Sequence, residues 1–183
     1  MQPPPPPLNI EQLKMLIADA DIIGIGKITG VKEAEGTLEA TLSIEELLKG
    51  KVDGNTIGIT ETYKVLNPPP TASNSKTAGE PPQMITRTIA GVSAYSGKYK
   101  KDARIIVFLK NIEGTDQYKP LGSGTYNKYL GEFIIENDGI KSIEIDYFKF
   151  AQDVGKYAGS EKQFISFIEQ LIKSGSNKGG YDE

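Results

Sequence analysis

From Thr37 to Glu45 the chain alternates without a break. Leu38, Ala40, Leu42 and Ile44 hold the even positions, and Thr37, Glu39, Thr41, Ser43 and Glu45 the odd ones. Strict period two puts one face in a core and the other in water, so this segment reads as a half-buried strand. Its neighbours carry the same message. Asp21 to Thr29 reads as a strand interrupted by Gly24 and Gly26, the mark of a bulge or a tight bend. Ile23 and Ile25 point one way along it, Ile22 and Ile28 the other. A third strand spans about 56–63 with Ile57 and Ile59 inward. The unbroken apolar run Arg104-Ile105-Ile106-Val107-Phe108-Leu109 predicts a strand buried on both faces. Glu132 to Glu136 and Ile140 to Ile145 flank Asn137-Asp138-Gly139 and read as a hairpin.

Helical signals stand at the two ends. Asn9 and Gln12 make a capping box ahead of Leu13, Leu16 and Ile17, which predicts a short helix over about 9–20. Ser160 and Gln163 repeat the box ahead of the stripe Phe164, Phe167, Ile168, Leu171 and Ile172. Strands in succession with helices only at the ends favour a small closed or nearly closed barrel over a parallel α/β sheet. The expected core is Ile23, Ile25, Leu38, Leu42, Ile44, Ile57, Ile106, Phe108 and Phe133.

A chain of 183 residues is long enough for one domain. The reading divides it into a proline-rich flexible start at 1–8, a barrel domain at 9–173 and a disordered polar tail at 174–183. Within the barrel domain, 66–100 changes character. Pro68-Pro69-Pro70 and Pro81-Pro82 enclose a stretch almost without large apolar residues, which cannot enter a sheet interior. A connection that long is functional or disordered, and Met84 to Ala90 is the one part of it able to form an edge strand. Pro3 to Pro7 make a stiff spacer, read either as the stub of a tether or as an ordinary N-terminus.

Several classes of chemistry are removed by what the chain lacks. Without cysteine there is no disulfide, thiolate zinc site or cysteine nucleophile, and without histidine no Ser-His-Asp triad. A formal net charge of −3 argues against polyanion binding, which draws its affinity from Lys and Arg on phosphates. No cofactor and no metal are expected, and no segment has the apolar length to span a bilayer.

Four stretches together carry a resemblance. Ala20-Asp21-Ile22-Ile23-Gly24-Ile25-Gly26-Lys27-Ile28 is followed by Ile44-Glu45-Glu46-Leu47-Leu48-Lys49-Gly50, then by Ala103 to Leu109, then by Leu130-Gly131-Glu132-Phe133. This order resembles the netrin-like, OB-type barrels of bacterial secreted proteins, distant relatives of the tissue inhibitors of metalloproteinases. The resemblance covers about 20–145. It implies a mainly β fold, a small five-stranded Greek-key (OB-like) barrel with a short N-terminal helix and a C-terminal amphipathic helix. It also implies a binding role, often outside the cytoplasm, and with the proline run read as the stub of a tether the expectation is a secreted or lipid-anchored protein. The inhibitors present an N-terminal cysteine to the protease zinc, and this chain has no cysteine to present.

The candidate binding patch is basic and aromatic: Lys98, Lys100, Lys101 and Arg104 with Tyr95 and Tyr99 interleaved. Basic grooves with stacked aromatics bind single strands, but a loop whose lysines shield a sheet edge has the same composition. Tyr126 and Tyr129, near Tyr118, either join that surface or roof the barrel. Glu45 and Glu46 are adjacent, so on a strand they face opposite sides and cannot act as a pair. Asp19 and Asp21 fall far short of a Ca²⁺ site. Gly122-Ser123-Gly124 lacks the Lys-Ser/Thr of a phosphate loop and reads as a plain turn. The expectation is a non-enzymatic module contacting a protein or peptide partner through the barrel face and the 66–100 loop, with no nucleic acid and no membrane insertion. The alternative is an inhibitor of an extracellular hydrolase acting through that loop.

Overall fold

The computed structural model describes residues 7–34, 36–62, 99–121, 131–142 and 149–176. In chain order the elements are α1 (Ile10–Asp19), β1 (Ile22–Ala34), β2 (Thr37–Lys49), β3 (Thr56–Thr62), β4 (Arg104–Asn111), β5 (Gln117–Pro120), β6 (Glu132–Glu136), β7 (Gly139–Ser142), α2 (Gln152–Ala158) and α3 (Glu161–Ser176). Five strands close into a barrel in the order β1-β2-β3-β5-β4, with β4 returning to β1. All contacts are antiparallel except β3 with β5, which run parallel through Gly58↔Gln117 and Ile59↔Tyr118. The fold is thus the mainly β, OB-like barrel expected.

Closure depends on β1. Its ladder with β2 slips at Ile23/Gly24, Ile25/Gly26 and Ile28/Gly30, and each bulge increases the local bend. At Gly26 a Cβ would overlap the Ser43 carbonyl oxygen, so the two strands approach there as only glycine allows. The inward positions of β1 are Ile22, Gly24, Gly26 and Ile28. The space above the glycines lies beside Ile105 and Val107, their partners on β4.

Two hydrophobic clusters share the sheet. Ile22, Ile28, Leu38, Ala40, Leu42, Ile57, Ile59, Ile105, Val107 and Leu109 fill the barrel. Ile23, Ile25, Ile106, Phe108 and Phe133 lie on its outer face, under Leu13, Leu16, Ile17, Phe164 and Ile168 of the helices. The expected core is therefore real but divided, and β4 serves both halves, as its unbroken apolar run predicts. Ile44 differs: it is only half-buried, at the margin of the barrel cluster. An aromatic relay, Phe108 edge-on to Phe133 at 5.9 Å and Phe133 to Phe164 at 5.8 Å, carries the packing from sheet to helix.

The Asn9–Gln12 box is present, with Gln12 N–H donating to Asn9 Oδ1 at 3.0 Å and Asn9 N–H to Gln12 Oε1 at 2.9 Å. At the other end of α1, Lys49 Nζ donates to the Ile17 carbonyl at 2.6 Å, satisfying a terminal acceptor with a positive charge. The α3 start is tied differently from the box expected at Ser160 and Gln163: Glu161 N–H donates to the Asp138 carbonyl of the hairpin turn at 2.7 Å. Arg104 closes the same corner, donating to both carboxylate oxygens of Glu161 at 2.9 Å and through Nε to Glu45 at 2.8 Å. The hairpin turn has Asn137 and Asp138 at φ 50° and 64°, and Gly139 is the first residue of β7.

Five elements differ from expectation. β1 and β2 run on to Ala34 and Lys49 as one long antiparallel hairpin, flanked by β4 and β3. The sequence predicts neither β5 nor α2, and α3 continues to Ser176, past the expected boundary at 173. The proposed edge strand at 84–90, the loop 122–124 and the tail from 177 lie outside the described residues.

Candidate functional site

Parity along β3 and β6 selects the residues of interest. Ile57 and Ile59 point into the barrel, so Glu61 does too. Glu132 sits opposite Val107, an inward residue of β4, and so also faces the interior. Between them stands Tyr99, which belongs to the barrel cluster and is 3% exposed, with Glu61 at 2% and Glu132 at 1%. The Tyr99 hydroxyl donates to Glu61 Oε1 at 2.6 Å and is also hydrogen-bonded to Glu132 Oε1. Burial, then the charges of Glu132 and Glu61, push the Tyr99 phenol well above its ordinary ionisation range.

The cluster lies where the chain enters and leaves the described fold. Thr62 ends β3 and Leu121 follows β5, and because these strands are parallel neighbours both lead out at one end of the barrel. Tyr99 and Glu132 lie just inside the points of return. The chain beyond Tyr99 is docked on β1, with Asp102 N–H donating to the Ile28 carbonyl at 2.8 Å and Ile28 N–H to the Ala103 carbonyl at 2.9 Å. Leu121 and Gly131 are joined by a backbone bond of 2.8 Å. Hence the stretches 63–98 and 122–130 are each tied at both roots to one rigid end.

This places the nominated residues as follows. Tyr99 is inside the barrel rather than on a binding surface, because its ring completes the apolar cluster and its hydroxyl has buried acceptors. Lys100 and Lys101 are exposed on the turn that follows. Tyr95, Lys98, Tyr126 and Tyr129 lie outside the described residues. Tyr118 is half-buried against the barrel cluster. Glu45 is held by Arg104, and Asp21 by Asn111 N–H and Lys110 Nζ, both at 2.9 Å. Those bonds, the backbone one foremost, hold the Asp21 carboxyl below the usual carboxylate range.

No family model matches the chain, and no curated protein matches it. What the molecule does must come from its own geometry. Among the described residues no three His, Cys, Asp or Glu side chains group as metal ligands. No described helix is long and apolar enough to cross a membrane. Ten apolar side chains and Tyr99 pack the described barrel interior, and three described clefts lie on the helical side. One, of about 610 Å³, is lined by Glu11, Lys14, Ile17, Lys49, Leu171 and Ile172, away from the Tyr99 cluster. The outward face of β2 and β3 carries Thr37, Glu39, Thr41, Ser43 and Glu45 beside Thr56, Gly58, Thr60 and Thr62, with neither a basic nor an aromatic side chain.

Sequence reasoning missed Glu61 and Glu132, although a signal existed. Each follows the inward parity of its strand at a position where an apolar residue belongs. A carboxylate in such a place needs a buried partner, and the partner here is Tyr99, which the sequence places among the residues of a surface patch.

Proposed function

We propose that this chain is a non-enzymatic binding module of a secreted or cell-surface-tethered protein, contacting a protein or peptide partner at the barrel end from which 63–98 and 122–130 leave. One observation carries the reading: parallel β3 and β5 lead both long connections out at the same end, where Tyr99, Glu61 and Glu132 clamp their roots. Long connections mounted on a rigid scaffold are the usual seat of recognition. The filled interior leaves no room for a small ligand of the kind larger barrels enclose. The outward residues of β2 and β3 are themselves acidic or hydroxyl-bearing, and the cations that reach them, Lys32 on Glu39 and Arg104 on Glu45, are engaged in ion pairs with them, which with the lack of stacking rings on these two strands favours a protein partner over single-stranded nucleic acid. The extracytoplasmic part of the proposal rests on the resemblance to secreted netrin-like barrels.

The test is site-specific photo-crosslinking in the producing cell. A crosslinker at Thr62 should capture one discrete protein, and one at Lys173 on the helical side should not. Replacing 67–82 with a short Gly-Ser link should preserve thermal unfolding and abolish capture, since loop closure depends only weakly on length. Capture that survives the replacement, or arises only from Lys173, would move the contact surface elsewhere.

A further inference from the structure

Two of the clefts on the helical side share Lys156. One, of about 600 Å³, lies between α2 and α3, where Lys156, Lys162, Gln163 and Gln170 rim the stacked rings of Tyr157 and Phe167. The other, of about 560 Å³, joins Lys156 to Asn9, Gln152 and Asp153 at the start of α1. Lys14, Lys27, Lys32, Lys110 and Lys141 each pair with an acid. Lys149, Lys156 and Lys162 are exposed and have no ion pair among the described residues. The nearby acids are already engaged: Glu161 by Arg104, Glu11 by Lys14, and Asp153 by Ile10 N–H at the positive end of α1. Asp138 and Glu169 line neither cleft.

The chain enters the body at the same place. Leu8 is fully buried, and its N–H donates to the Lys149 carbonyl at 2.9 Å while its own carbonyl accepts from Ala151 N–H at 2.8 Å. Pro7, one residue earlier, is exposed. Whatever holds the chain ahead of Leu8 therefore holds this face. We propose that the face bearing Lys149, Lys156 and Lys162 rests, without insertion, on an anionic lipid surface, and so fixes how the tethered molecule stands. The inference rests on the cell-surface part of the proposed function.

Magnitudes separate recruitment from orientation. A lysine close to an anionic bilayer favours contact by about fivefold, and screening ends the effect within about 8 Å. Three lysines cannot draw a free chain of net charge −3 to such a surface against the rest of its acids. A tether removes that need, because it supplies the local concentration and leaves the lysines only to choose which face turns down. Together they favour this face by about a hundredfold over one without free cations. The β2–β3 face is such a one, since the cations that reach it, Lys32 and Arg104, are bound to Glu39 and Glu45.

The chain has neither tryptophan nor cysteine, so both can be introduced without background. The full chain carrying Gln2→Cys is coupled to a maleimide lipid in phosphatidylcholine vesicles, with or without phosphatidylglycerol, that also carry a headgroup nitroxide quencher. With Gln163→Trp, at the rim of the cleft, emission should be quenched severalfold more on the anionic vesicles than on the neutral ones. With Thr41→Trp, on the β2–β3 face, lipid charge should bring no increase. Adding Lys149→Gln, Lys156→Gln and Lys162→Gln should return the first value to the neutral level with thermal unfolding unchanged, because these side chains are exposed and outside any ion pair. Quenching at Gln163→Trp that ignores lipid charge, or that survives the triple substitution, overturns the proposal. So does a response of that emission to free hexaglutamate but not to anionic vesicles, which would make the cleft a peptide site. The anchor here is chemical, so these results leave the natural location and the partner-capturing end to the crosslinking test at Thr62.

Discussion

Tyr99 concentrates the difficulty of reading this chain. In sequence it stands among lysines and invites a surface role, yet its ring is core and its hydroxyl is enclosed by carboxylates. The consequence is measurable. Burial first, and then Glu132 and Glu61, raise the phenol's ionisation in the folded state. The folded chain therefore keeps a proton that the unfolded phenol loses near pH 10. That stability is fully present below about pH 10 and is lost as pH rises through the folded value. Urea unfolding over this range should show wild-type stability falling more steeply than that of Tyr99→Phe. In a spectrophotometric titration, Tyr99 should ionise only as the chain unfolds. Parallel alkaline profiles for the two proteins would place Tyr99 in contact with water. Nothing local announces this role, because it comes from partners 38 and 33 residues away.

β2 and α1 were legible for the opposite reason, since their signals are local. Alternation in β2 fixes which face is buried, and the Asn9–Gln12 box fixes where α1 begins. Leu42 is fully buried inside the barrel, so Leu42→Ala should cost about 2–5 kcal/mol in chemical denaturation. A loss below about half a kcal/mol would mean that β2 has the other register. β5 carries no such signal. Its four residues include Lys119 and Pro120, and it is a strand because β3 and β4 supply its partners. α2 is as obscure, a helix of seven residues containing Gly155, started at Ala151 without a side-chain cap. Its support is tertiary: Asp153 Oδ2 accepts from Ile10 N–H at 3.0 Å, tying α2 to the first turn of α1. The candidate site shares this property. Its acids belong to β3 and β6, and only closure of the sheet brings them to Tyr99.

The assembled molecule is a barrel with a helical back and one end from which the chain leaves after β3 and after β5. The helices cover the outer face of β1, β4 and β6, which leaves the end beyond β3 and β5 as the place where the long connections collect. That arrangement depends on the direction of β5. The chain has no cysteine, so pairs of spin labels can be introduced without background. The parallel register places Thr60 beside Lys119 on adjacent strands, about 5 Å apart along the hydrogen-bonding direction. Thr56 lies four residues back along β3, about 13 Å away along the strand. Pulsed and continuous-wave spin-resonance distances on the two double-labelled proteins should therefore be short for Thr60 with Lys119 and clearly longer for Thr56 with Lys119. The reverse order would run β5 against β3, send the two connections to opposite ends, and contradict the single binding end.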